Sequence, residues 1–210
     1  MKLYKMLIAI GFGAIFLANT SNAALVDQDW KTPGDASLLL DTDTGLRWLD
    51  LSATANVSRN AVGENLGVGG AFGGFRLATQ SEVLTLWKDA GISNTERTWV
   101  TGQYLAVHDL VNRLGPTVMV ELGQFLVATH TIGMVDGGSP LPGNQIWAME
   151  LTYAPDGMST RTSASYYTRD AGVAGIHYST YLVQAVPLPG ALWLFLSGGV
   201  GLLTLSRKLI

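Results

Sequence analysis

Residues 191–206, ALWLFLSGGVGLLTLS, run for 16 positions without a formal charge, and Arg207 and Lys208 close them. A stretch this apolar is not at home on the wetted surface of a domain. As a helix it reaches about 24 Å, and counting back through Leu188 brings it close to the roughly 30 Å hydrocarbon core of a bilayer. Basic residues stay on the cytoplasmic side. The sequence therefore predicts a transmembrane helix over 191–206, with a basic end, 207–210, as the membrane stop.

The opposite end has a different layout. In residues 1–23, MKLYKMLIAIGFGAIFLANTSNA, Lys2 and Lys5 precede a 13-residue apolar core at 6–18, and Ser21-Asn22-Ala23 supplies small residues at a cut. These are the three parts of a secretory signal peptide, cleaved between Ala23 and Ala24 by signal peptidase. The apolar core is short of the roughly 20 residues a span requires, which weighs against an uncleaved anchor. With no Arg pair for folded-state export and no Cys after the cut for a lipid, the expected route is the general secretion machinery.

All 16 acidic residues lie between these segments, with nine basic ones, so the body carries a net −7. Such a surface excludes nucleic acid as a partner. The chain has no cysteine, so an exported body of this size has to hold itself by a hydrophobic core, without disulfides or thiolate metal sites.

Pro187 and Pro189 lack the N–H a helix needs and restrict the residues before them, so 186–190 is predicted extended outside the membrane. The order Val186, Pro187, Leu188, Pro189, Gly190, apolar run, basic terminus resembles the PEP-CTERM sorting tail in its VPLPA-like variant, found on exported proteins of Gram-negative bacteria. The resemblance covers residues 186–210. It departs in having no Glu between the prolines and in placing Gly190 where Ala is usual. It implies that an exosortase, a membrane-embedded cysteine transpeptidase, recognises Pro187, Leu188 and Pro189 and removes the helix. The protein would be held in the inner membrane facing the periplasm, then passed to the surface or the extracellular matrix.

Residues 24–185 show no repeat, low-complexity tract or charge run, and are read as one domain. SLLLDTDTGLRWLDL predicts a strand, a tight turn at Asp43-Thr44-Gly45 and a second strand burying Leu46, Trp48 and Leu49. Ser58 caps a short helix in RNAVGENL with Val62 and Leu66 on one side. GVGGAFGG reads as a flexible surface loop; it lacks the spacing of a phosphate cradle. Thr79 and Glu82 form a capping box for a helix over 80–90, with Val83, Trp87 and Ala90 as its apolar stripe and Gly91 as its stop. TVMVEL, QFLVATHTI, the hairpin QIWAMELTY/MSTRTSASYY and STYLVQAV then alternate as strands, with Trp147, Met149, Leu151 and Tyr153 on one face. The expected class is α+β, with helices in the first half and the first and last strands pairing.

D-T-D-T-G-L-R-W, a helix, F-R-L-A-T-x-x-E-V-x-x-L and a terminal hydrophobic strand resemble a bacterial surface domain of C-type-lectin-like fold, most closely over residues 38–86. The resemblance implies a strand, two helices, then antiparallel strands. Phe75 and Ala78 stand where that family has Trp and Pro. The E-P-N and W-N-D triplets of calcium-dependent lectins are absent, so sugar binding is not inherited with the fold.

Candidate chemistry is sparse. Asp43-Thr44-Gly45 is the aspartic-protease tripeptide, but there is no second copy and Leu46 follows where a small residue is needed, so a turn is the better reading. Asp41 and Asp43 miss EF-hand spacing, with Gly45 fifth and Ser52 twelfth. His108, His130 and His177 are scattered without a zinc motif, and His130 on a strand reads as a half-buried side chain rather than a ligand. No serine sits in a nucleophile elbow. The tyrosines at 153, 166, 167, 178 and 181 read as aromatic strands packing a core, ahead of a binding surface. No catalytic residue, metal site or cofactor is predicted. The expectation is a non-enzymatic exported protein of the cell surface or exopolysaccharide matrix, with exopolysaccharide as its binding partner. The alternatives are a permanently anchored, periplasm-facing single-span protein, and a secreted hydrolase using Asp41, Asp43 or Glu82.

Overall fold

A computed structural model describes residues 25–96, 98–121, 127–137, 143–154, 159–163, 169–175 and 177–186. Asp41 folds its carboxylate over the D-T-D-T-G turn. Its Oδ1 accepts from the backbone N–H of Asp43 (3.0 Å) and Thr44 (3.4 Å), and its Oδ2 from the Thr44 hydroxyl at 2.7 Å. Gly45 takes φ +66°, which favours glycine. The turn sets β2 (Leu38–Asp41) against β3 (Leu46–Leu49), and β1 (Leu25–Gln28) adds antiparallel to β2. Trp48 and Leu49 are buried, and Leu46 is half-buried.

A 3-10 turn (Leu51–Thr54) follows, capped by the Asp50 carboxylate. Next comes α1 (Arg59–Glu64), whose Ser58 hydroxyl accepts from the Ala61 N–H at 3.2 Å. Val62 is buried and Leu66 packs beside it. The glycine-rich segment lies at the surface as expected, with Val68 exposed, but it is not loose. Phe72 is only 7% exposed and stacks with Trp30 at a centroid distance of 6.2 Å. Its N–H donates to the Asn65 carbonyl, and a Cβ on Gly70 would lie 2.3 Å from that same oxygen. The glycines allow a tight wrap that buries an aromatic ring.

After β4 (Arg76–Leu77), α2 (Gln80–Asp89) starts on the expected capping box, with both reciprocal bonds made, and stops before Gly91 at φ +86°. Val83, Leu86 and Trp87 are buried. A third helix corrects the count: β5 (Trp99–Val100) leads to α3 (Tyr104–Leu114), which buries Val107, Leu110, Val111 and Leu114.

The remaining strands are β6 (Val118–Glu121), β7 (Val127–Val135), β8 (Gln145–Tyr153), β9 (Thr160–Ser163), β10 (Arg169–Asp170), β11 (Ser179–Thr180) and β12 (Leu182–Ala185). They complete a mixed α+β fold of mostly antiparallel sheets. The first sheet runs β1-β2-β3-β12-β4, and the second runs β11-β7-β8-β9-β5, with β6 also on β7 and β10 also on β8. Only β11 and β7 pair in parallel among these strands. The strand predicted first, β2, and the last, β12, share a sheet, but β3 lies between them, so the expected direct pairing is not made; β1 adds a further strand outside β2.

Tyr181 joins the sheets: its N–H donates to the Met134 carbonyl (3.0 Å) and its carbonyl accepts from the Ala78 N–H (2.9 Å). Its ring, fully buried, meets Trp48 edge-on in a core that also takes Trp87 and Leu86 from α2, Leu110 from α3 and Met149 and Leu151 from β8. Burial pushes its phenol well above the ordinary value. Among the described residues no helix is long and apolar enough to cross a membrane. The expected cleavage site at Ala23 and Ala24, the motif residues Pro187, Leu188, Pro189 and Gly190, the helix over 191–206, and Arg207 and Lys208 all lie outside the described residues.

Candidate functional site

The carboxylates considered for a hydrolase do not converge. Asp41 is fully buried and spends its oxygens on the turn it caps. It lies near Asp89 at the C-terminal end of α2, where burial, then Asp41 and Asp43, push the Asp89 carboxyl above its ordinary value. Glu82 lies in the first turn of the same helix, seven residues earlier, or about 10 Å along the axis. It closes the capping box and pairs with the Arg76 guanidinium. That pairing, opposed by burial and aided by Thr79, holds its carboxyl down at about 2. Asp41 and Glu82 are committed to local structure, and Asp43 is exposed on the turn.

The histidines also separate. His108 stacks on Tyr104 and leans on Tyr153, with centroid distances of 5.5 and 4.8 Å. His177 is exposed. His130 has a charged partner that the sequence did not reveal. Register sets Val118, His130, Thr152, Arg161 and Trp99 opposite one another across β6, β7, β8, β9 and β5. Directly opposed residues share a face, and Glu150, two residues from Thr152, shares it too.

His130 Nδ1 lies 2.6 Å from Glu150 Oε1, and the Thr152 hydroxyl reaches both, at 2.9 and 3.0 Å. Glu150 is 6% exposed. Burial pushes its carboxyl up, but the hydrogen bond and charge of His130, with Thr152 and Arg161, outweigh that and hold it below the ordinary value. A carboxylate on Nδ1 is half of a general-base arrangement. The working atom, Nε2, is shut away from solvent without a hydrogen-bond partner. The geometry suits holding β7 to β8, not moving protons to a substrate.

The surface offers an open cleft of about 570 Å³ beside β5 and the start of α3, lined by Gly91, Ser93, Asn94, Trp99, Thr101 and Gln103 among others. Gln103 builds it: its Oε1 accepts from the Asn94 N–H and its Nε2 donates to the Asn94 carbonyl, both at 3.1 Å. That reciprocal pair fastens the loop after α2 to α3. Trp99 stands 47% exposed at the rim, and Leu105 is 79% exposed in an adjoining recess. Among the described lining residues no side chain ionises. Those residues offer an indole face and the exposed Ser93 and Thr101.

Neither Trp99 nor Gln103 stood out in the sequence. The available signal was a lone tryptophan amid polar residues in TERTWVTGQ. Of the sorting motif, only Val186 is described: its N–H donates to the Gly45 carbonyl at 2.9 Å, extending the β12–β3 ladder by one bond. Among the described residues no group of three or more acidic or histidine side chains is placed to hold a metal ion. No family model, curated protein or solved structure matches the chain.

Proposed function

We propose that this chain is an exported, non-enzymatic protein of the cell surface or exopolysaccharide matrix. Its body has a C-type-lectin-like arrangement, and its tail is a substrate for an exosortase. The observation that carries the reading is the place of β12. That strand pairs with β4 at Leu182 and Val183 and with β3 from Val183 to Ala185, and it ends one residue before the proline motif. The ladder bonds that hold β12 in the first sheet are made by residues that precede Pro187. The lectin-like arrangement is supported by the D-T-D-T-G hairpin, the F-R-L-A-T segment leading into α2, and the terminal strand returning beside β3.

The binding surface in this reading is the Trp99 cleft, whose described lining residues, an indole with hydroxyl and amide groups, suit a polysaccharide. Aromatic faces backed by fixed polar groups are a common basis for recognition. The test is replacement of Pro187 and Pro189 together by alanine, followed by cell fractionation. The double variant is expected to stay in the inner membrane at full length while the parent reaches the surface or medium. Unchanged location and size would remove the sorting half of the proposal.

A further inference from the structure

The register of the first sheet brings the two ends of the body together. Leu25 lies opposite Asp41, Asp41 opposite Leu46, and Leu46 opposite Ala185. The first residue of β1 and the last of β12 therefore sit in one row, three strand spacings or about 14 Å apart. Alternate antiparallel strands make β1 leave that row and β12 arrive in it, so both chain connections emerge from the same end of the sheet. The Thr42-Asp43-Thr44-Gly45 turn closes that end, and Val186 is pinned to it through the Gly45 carbonyl.

The tether beyond is short. From Val186 to Ala191, where the expected membrane helix begins, there are five residue steps, at most about 18 Å when fully extended. A body of roughly 160 residues is roughly 40 Å across. A tether less than half that diameter, rooted in a strand end that is hydrogen-bonded to β3 through Ala185 and to Gly45 through Val186, does not let the body turn over.

We propose that the anchored protein stands with this end of the first sheet toward a lipid surface, placing the 42–45 turn within about 18 Å of it. The opposite end of the sheet, at Gln28, Leu38 and Leu49, with the 3-10 turn beyond it, points away. That end carries charges of both signs: Asp43 and Asp89 stand beside Lys88, and Arg113 reaches the Leu25 carbonyl, so it meets the headgroup layer as a polar surface. The leader attaches at the same end through Leu25. An unprocessed chain can thus keep both apolar segments in one bilayer while its body is folded, since about 14 Å accommodates two helices of 10–12 Å diameter side by side.

This inference rests on the membrane-tail reading above but not on tail removal. The chain has no cysteine, so Asp43→Cys and Ser52→Cys each give one labelling site, both at exposed positions. The full-length chain, labelled with a fluorophore at either site, is reconstituted into phosphatidylethanolamine–phosphatidylglycerol vesicles carrying a headgroup nitroxide. Quenching at position 43 is expected to be at least threefold that at position 52. Flotation with the vesicles reports the tail separately. A floating chain with equal or inverted quenching overturns the orientation alone; a chain left in the aqueous fraction overturns the anchored tail and the orientation with it.

Discussion

The two sheets meet at Tyr181 but place their polar residues differently. In the first, carboxylates work at the ends of strands, as Asp41 does over its turn and Asp50 at the following cap. In the second, an acid and an imidazole sit in mid-strand. β8 is buried on both faces, with Met149 and Leu151 on one and Ala148, Glu150 and Thr152 on the other. One sheet is shaped by turns and terminal caps, and the other is held across its middle by a buried carboxylate hydrogen-bonded to an imidazole.

That contrast is sharpest in the response to Glu150→Ala, which leaves the half-buried His130 without its carboxylate. Urea unfolding should show a loss of about 1.5–3 kcal/mol, as expected when a hydrogen bond to a charged group is removed. His130→Ala on top of it should cost little more, because the partners act together. A loss for Glu150→Ala no larger than that of an ordinary helix cap would break the comparison.

Gly133→Ala comes next. An added Cβ would lie 2.3 Å from the Tyr181 ring, and overpacking of this kind costs about 1–3 kcal/mol by the same measurement. Thr79→Ala removes the cap of α2 and should cost about 1 kcal/mol.

Acid separates the same groups. The carboxyls of Glu82 and Glu150 are lower in the folded protein than their ordinary value of 4.5, so the folded state binds fewer protons there than the unfolded chain. Their stabilisation is complete above that value and is lost as pH falls through the folded-state values, about 2 for Glu82. Unfolding followed from pH 5 to pH 2 should show a shallower acid limb in Glu150→Ala than in the parent. Arg76→Ala should give the smallest effect, at most about 1 kcal/mol, because its pair with Glu82 is solvent-exposed on the arginine side.

Legibility followed the range of the interactions. α2 could be read because Thr79, Glu82 and Gly91 write both of its ends within one helix length. α3 carries an equally regular stripe at Val107, Leu110, Val111 and Leu114, but it has no side-chain cap, and Gln103, at its first position, turns its amide to Asn94 instead. Glu150 and His130 are 20 residues apart, and only the β7–β8 register makes them neighbours. The D-T-D-T-G turn was legible as a turn because Asp41 acts within three residues. Phe72 was hidden by glycines that look loose in sequence but permit a tight wrap around Asn65.

The central claim concerns an address written in the two ends of the chain, with a self-sufficient body between them. Intact-mass analysis of the protein recovered from the cell surface and medium tests it most directly. The account expects a species beginning at Ala24 and ending near Pro189. A surface or medium species that still carries Ile210 would contradict it.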